Sequence, residues 1–157
     1  MIVIGIDPGL ATVGFGVIRT EKNVITPVSY GCIRTSAEKE SPQRLLEIYT
    51  EVIALFEKYT PESVAVERLF FNKNVTNAMG VSEARGVIIL AAQQKQIPVF
   101  EYTPLQVKQA ITGSGRADKK QMQEMIKRLL NLNEIPKPDD AADGLSIALC
   151  HINIMRY

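Results

Sequence analysis

Apolar and polar positions alternate in two distinct ways along this chain. Ile2-Val3-Ile4-Gly5-Ile6 is a short apolar run that suits a buried strand, and Asp7-Pro8-Gly9 closes it with turn chemistry. Val13 to Arg19 and Val24 to Ile33 are rich in β-branched residues and flank Glu21-Lys22-Asn23, which predicts a meander of three strands. Pro27 cannot donate to a ladder, so it places the third strand at an edge or marks a bulge. Ser41-Pro42 then opens a helix, with Ser as N-cap and Pro in the first turn. Leu45, Leu46, Ile48, Tyr49, Val52, Ile53 and Phe56 form its apolar stripe. Ser63-Val64-Ala65-Val66-Glu67 is a second apolar run that ends in a carboxylate. Residues 75–95 carry a long helix pattern, followed by a short strand at Val99 to Tyr102. Thr103-Pro104, the region of Asp118, and Pro138-Asp139 read as further helix starts. Strands first, then strands alternating with helices, predict an α/β sheet covered by helices. No repeat or linker divides residues 1–157, which read as one domain.

Composition narrows the class. With 157 residues, of which 46% are hydrophobic, the chain can bury a core, and no low-complexity run suggests disorder. No stretch approaches the roughly 20 apolar residues that a membrane crossing requires. Met1 to Gly5 is too short, and lacks the basic flank, for a signal peptide. Cys32 and Cys150 lie far apart and fit no zinc spacing, so they read as buried thiols in a reducing cytoplasm. The net charge of +1 hides an asymmetry: residues 1–67 balance at −3, residues 68–128 at +6 and residues 129–157 at −2. A basic middle between acidic ends fits either a polyanion footprint beside an acidic metal site or a set of solvated helix faces.

The acids carry the sharper signal. Two apolar runs end in Asp7 and Glu67, and a carboxylate at the end of a buried strand must be solvated, paired or bound to a cation. In a mostly parallel sheet, neighbouring strands deliver such residues to one crevice. Asp139, Asp140 and Asp143 cluster at a helix start, where capping and the helix dipole account for acids in the first turn. Asp140 and Asp143 share a helix face at a spacing of three, but Asp139 and Asp143 share one at four, so spacing alone does not choose between them. Ala141 and Ala142 leave room for something to approach Asp143. Converging carboxylates without a basic partner suit a hard cation such as Mg²⁺, and two ions roughly 3.5–4 Å apart serve phosphodiester cleavage. Scattered structural acids are the competing reading.

The order of these segments resembles one family. Gly5-Ile6-Asp7-Pro8-Gly9, Gly14 to Ile18 and Gly31-Cys32-Ile33-Arg34-Thr35 are similar to the opening of the RuvC crossover-junction endodeoxyribonucleases. The match continues through Glu67, Phe70, Lys73-Asn74, Ala84-Arg85-Gly86-Val87, Val99-Phe100-Glu101-Tyr102 and Gln106-Val107-Lys108-Gln109. It ends with Asp140-Ala141-Ala142-Asp143-Gly144-Leu145 and His151. The resemblance implies a ribonuclease H-like α/β fold, with a central mixed five-stranded sheet flanked by helices. It implies a homodimer that resolves four-way (Holliday) DNA junctions by symmetric paired nicks in homologous recombination and repair. By position, the implied catalytic and metal-binding acids are Asp7, Glu67, Asp140 and Asp143; in some relatives the Asp140 position is His. The implied cofactor is Mg²⁺, two ions per site, with Mn²⁺ as substitute. The implied partners are the junction and the branch-migration proteins RuvA and RuvB, in the cytoplasm and away from any membrane.

Phe70 matches the family aromatic that enters the opened junction and stacks on a base, an interaction worth roughly 1–3 kcal/mol. Phe71 beside it suits the core. Lys108 and Lys119 match basic residues near the scissile phosphate, where a lysine seen alone would read as ordinary surface. Lys73, Arg85, Arg116 and Lys120 are further phosphate candidates. Gly113-Ser114-Gly115 precedes a helix start whose amides can meet phosphate, although no Gly-Lys-Ser/Thr follows to make a nucleotide loop. The helix at 75–95 is apolar on more than one face, so it is either buried within one subunit or packed against a two-fold mate. His151 lies eight residues beyond Asp143, which suits a structural role or one behind the site. Three other functions compete: a YqgF-type nuclease acting on RNA or other branched nucleic acid, an actin-like ATP-binding half, and a junction binder without cleavage. The chain is short for the actin-like fold, and acids beside phosphate bring a pure binder no gain.

Overall fold

A computed structural model describes residues 1–68 and 75–156, with the side chains of residues 75 and 76 left out. Phe70, Phe71, Lys73 and Asn74 lie outside the described residues. The elements run β1 (Ile2–Asp7), β2 (Thr12–Glu21), β3 (Val24–Arg34), α1 (Ser41–Tyr59), β4 (Ser63–Glu67), α2 (Val75–Gln94), β5 (Val99–Tyr102), α3 (Pro104–Thr112), α4 (Lys119–Leu129) and α5 (Asp139–Met155). The sheet order is β3-β2-β1-β4-β5. β3, β2 and β1 pair antiparallel, whereas β1, β4 and β5 pair parallel, so the sheet is mixed rather than mostly parallel. Delivery of two strand-end acids to one crevice still holds, because it needs only the parallel β1–β4 pair. Pro27 meets both expectations: β3 is an edge strand, and its register slips between Ser29 and Pro27.

Strand parity divides the molecule into two cores. Ile4, Ile6, Val13, Val17, Val64 and Val66 pack against Ile48, Val52 and Phe56 of α1 and Ala84, Ile88 and Ala91 of α2. Val3, Ile18 and Ala65 face α5, where Leu145, Ala148, Leu149 and Ile152 are buried with Val107, Ile111 and Ile126. Side chains alternate along a strand, so Gly5 and Asp7 fall on the Val3 face and Glu67 falls on the Ala65 face. Both strand-end acids therefore look toward α5.

Helix α5 lies unusually close to the sheet. A Cβ on Gly14 would stand 1.9 Å from the Asp140 carbonyl oxygen, and one on Gly144 would stand 2.4 Å from the Phe15 carbonyl carbon. Gly5 and Gly16 line the same seam. These glycines are needed for close backbone approach, and the approach carries Asp140 and Asp143 to the ends of β1 and β4.

The helix starts follow their capping chemistry. Thr103 and Asp118 accept from the Gln106 and Gln121 amides, and both glutamine side chains return the contact. α1 differs from expectation: Glu40, not Ser41, is the extended N-cap, with its amide donating to the Gln43 side chain at 3.3 Å. His151 is buried, with Nε2 3.0 Å from Ser63 Oγ and Nδ1 2.7 Å from the Tyr102 hydroxyl, and its ring packs at a tilt of 37° against Phe100. Burial lowers its pKa, so it serves as a neutral clamp between α5, β4 and β5. Eight residues of helix, about 12 Å, separate it from Asp143 along the axis.

Candidate functional site

Asp7 ends β1, and Ile6 stands opposite Val66 in the parallel ladder, so one further step sets Asp7 beside Glu67. Helix α5 supplies the rest. Between Ala141 and Ile152 every residue is buried except Asp143, which is half-buried at the upper edge of the seam. Oxygens of Asp7, Asp140 and Asp143 all lie within 4.8 Å of one another. Glu67 joins this triad through a side-chain hydrogen bond with Asp7. Asp139 points elsewhere: it pairs with Lys119 at 3.0 Å and accepts from Gln123 at 3.1 Å. The choice that spacing leaves open is thus decided by the packing of α5, which turns Asp140 toward β1.

The electrostatics of the cluster are those of negative charge held too close. Burial, then the neighbouring Glu67 carboxylate, push Asp7 up to about 8. Burial, then Asp7, push Asp143 up to about 7, with Lys119 opposing. Burial also raises Glu67, with Lys108 among the groups that oppose it. Carboxyl groups this near need a proton between them, or a cation. A donor set made only of carboxylate oxygens fits a hard divalent ion, so the residues present suit the metal that the sequence implies.

The remaining predicted residues separate into three groups. Lys108 and Lys119 line a cleft with Glu67 and Asp143, on the α3–α4 side of the cluster. Arg116 and Lys120 are exposed beyond it. Arg85 is held by Glu101 in an ion pair, and its Nε is buried without a hydrogen-bond partner. In the Gly113–Gly115 segment the first two amides already have partners within the protein. The Gly113 amide donates to Gln109, the Ser114 amide to Thr112 Oγ1 and the Arg116 amide to Ser114 Oγ, while the Asp118 carboxylate already caps α4.

One lining residue escapes the sequence reading. A second cleft, on the opposite side of the cluster, is lined by Asp7, Asp140 and the Pro8–Thr12 turn, with Arg44 reaching in from α1. Its signal is present in the sequence, since Arg44 lies four residues before buried Ile48 and so places a cation on the apolar stripe.

The comparisons with known proteins agree with this geometry. Over its full 157 residues the chain is 57% identical to the crossover junction endodeoxyribonuclease RuvC of Brevibacillus brevis, covering 95% of that protein. It is 56% identical to that of Desulfitobacterium hafniense, over 96% of this chain and 92% of the relative. The fold superposes on Thermus thermophilus RuvC in complex with Holliday junction substrate with a TM-score of 0.94, at 36% identity, covering 99% of this chain and 95% of that one. The family model described as crossover junction endodeoxyribonuclease RuvC matches residues 3–151, and the chain belongs to that family.

Proposed function

We propose that this protein resolves four-way DNA junctions by metal-dependent hydrolysis of one phosphodiester bond in each of two symmetry-related strands. The observation that carries the reading is the convergence of Asp7, Asp140 and Asp143, joined by Glu67 and bordered by Lys108 and Lys119. Family membership adds the substrate class, since a solved relative is described with Holliday junction DNA. The four acids would hold Mg²⁺, two ions per site, or Mn²⁺ in its place. When bound, the metal supplies Lewis-acid polarisation of the phosphate and activation of water.

The protein's own groups do the rest. Lys108 and Lys119 draw the backbone into the cleft and offset negative charge on the phosphate. Arg116 and Lys120 extend that attraction along the strand, and we assign Lys73 and Arg85 weaker phosphate contacts. Phe70 is assigned the stacking role at the opened crossover. The seam of glycines fixes the acids rigidly enough that little reorganisation accompanies the reaction.

The second subunit docks, in this reading, on α2, whose Ala84, Ile88 and Ala91 face the core while Met79 and Leu90 remain 60% and 54% exposed. A monomer mass independent of concentration in sedimentation would contradict the dimer. The chain acts as one nuclease domain. No helix of the described residues is long and apolar enough to cross a membrane, and we place the activity on cytoplasmic DNA, with RuvA and RuvB as partners on family grounds alone.

Proton release accompanies metal binding, because Asp7 near 8 and Asp143 near 7 must lose protons to ligate. The apparent Mg²⁺ affinity, measured by calorimetry in two buffers of different ionisation heat, is therefore expected to rise between about pH 6 and pH 9, roughly one unit either side of these values. A flat profile contradicts the proton-bridged cluster. Phe70→Ala is expected to leave Mg²⁺ affinity unchanged and to slow cutting of an intact junction roughly tenfold, the loss of about one stacked base. Unchanged cutting returns Phe70 to a packing role.

A competition assay tests the substrate class. Equal amounts of a four-way junction, a matched linear duplex and a structured RNA are offered with Mg²⁺. Preferential cutting of the junction supports the proposal. Preference for RNA favours the YqgF-type activity, and binding without cutting favours the silent junction binder.

A further inference from the structure

The acids of the cluster line two clefts, and only one of them is lined by basic residues already assigned to DNA, Lys108 and Lys119, among the described residues. On the Glu67–Asp143 side, Lys108 and Lys119 line the wall. On the Asp7–Asp140 side, Arg44 is the only basic residue lining the wall among the described residues. A strand whose phosphate reaches the acids from the Lys108–Lys119 side can continue along the cleft lined by Asp7 and Asp140. There it passes two carboxylates with no other basic side chain in that wall.

The local chemistry suits that task. Arg44 Nε donates to Thr35 Oγ1 at 2.9 Å, and Thr35 Oγ1 donates to the Leu10 carbonyl at 2.6 Å. The Thr35 amide donates to the Ala11 carbonyl at 3.0 Å, so the guanidinium is tied to the turn that follows Asp7. Its two terminal nitrogens have no hydrogen bond or ion pair among the described residues. No ion pair joins Arg44 to Asp7 or Asp140, so it does not neutralise the cluster. It is half-buried in place, with one nitrogen anchored and a planar pair of donors left over. That is the form in which arginine binds phosphate oxygens bidentately with least loss of side-chain freedom.

We propose that Arg44 is a DNA-binding residue that grips a backbone phosphate next to the scissile one, on the Asp7–Asp140 side of the site. The strand is then held on both sides of the carboxylates, by Lys108 and Lys119 at one wall and by Arg44 at the other. This assignment rests on the reading of the cluster as a DNA-cutting centre and adds a contact that the reading did not contain.

The test measures junction affinity across about 50 to 200 mM salt, in an Asp7→Asn background so that cutting does not intervene. Arg44→Gln is expected to weaken binding roughly tenfold and to lower the slope of log affinity against log salt by about 0.7–0.9 per subunit, the signature of one lost phosphate contact. Arg44→Lys keeps the charge and is expected to keep the slope while losing part of the affinity, which also controls for folding. Thr35→Val cuts the anchor but leaves the guanidinium, and is expected to keep the slope. An unchanged slope in Arg44→Gln overturns the proposal. So does an equal loss of slope in Thr35→Val, because Arg44 would then act only through the turn. If the Asp7→Asn protein binds the junction no better than linear duplex, the functional reading fails, and the Arg44 assignment falls with it.

Discussion

Asp7→Asn protein is expected to bind a four-way junction within about threefold of the parent and to cut it at least roughly a thousandfold more slowly. Asp7 is the hub of the cluster: its side chain hydrogen-bonds with both Glu67 and Asp143, and it shares the 4.8 Å triad with Asp140 and Asp143. Asparagine keeps the shape but removes the charge of the proposed metal ligand, so the proposed metal chemistry fails while the lysines assigned to phosphate remain. A second readout follows from the same residue. Asp7 is pushed up to about 8, so the folded chain holds a proton that the unfolded chain releases above about pH 4. The stability linked to that proton is fully present below pH 4 and is lost as pH rises through 8. Asn carries no such linkage. In chelator, the melting temperature of the variant relative to the parent is therefore expected to climb between pH 5 and pH 8. Equal loss of binding and cutting, or a variant that becomes relatively less stable as pH rises, contradicts the role given to Asp7.

Gly144→Ala is expected to damage both the fold and the site, because it adds a methyl group inside the α5–sheet seam. Its Cβ would stand 2.4 Å from the Phe15 carbonyl carbon and 2.6 Å from the Gly16 amide nitrogen. Both obstacles are backbone atoms of a paired strand, and ordinary contact lies about an ångström further out. Helix α5 must lift by nearly that much, or β2 must bend. Overpacking of this kind costs about 3 kcal/mol, which in a chain of this size lowers the melting temperature by roughly 6–12 °C. The lift also moves Asp143 and Asp140 away from Asp7. A displacement of about 1 Å in a catalytic constellation can cost on the order of a hundredfold, so cutting should fall well below the folded fraction. An unshifted melting temperature would contradict the close seam. Full activity per folded molecule would contradict the claim that the seam sets the geometry of the acids.

Much of this arrangement is legible in the residues. The apolar runs before Asp7 and Glu67 read as strands because they are short, β-branched and closed by turn chemistry, and both strands form where expected. The Thr103 and Asp118 helix starts follow from local hydrogen bonding, which needs no tertiary information. What escapes is whatever depends on contact between distant segments. Spacing does not separate Asp140 from Asp139, and only the family resemblance points to Asp140; physically the choice is a matter of how α5 is rotated about its axis against Gly14 and Gly16, more than a hundred residues earlier in the chain. The Gly113 and Ser114 amides look available on paper because a sequence does not show that Gln109 and Thr112 already take them. Arg44 is overlooked for the same reason. Its place beside Asp7 arises only when α1 folds back over the turn after β1, through the Thr35 bridge.

The most direct measurement is to map, at nucleotide resolution on all four strands, the cuts this protein makes in a synthetic four-way junction with Mg²⁺ and with chelator. The expected result is two nicks, symmetric across the crossover, present with Mg²⁺ and absent with chelator. Cuts that persist in chelator, or that scatter along the arms without regard to the crossover, would contradict a metal-loaded carboxylate site built to resolve junctions.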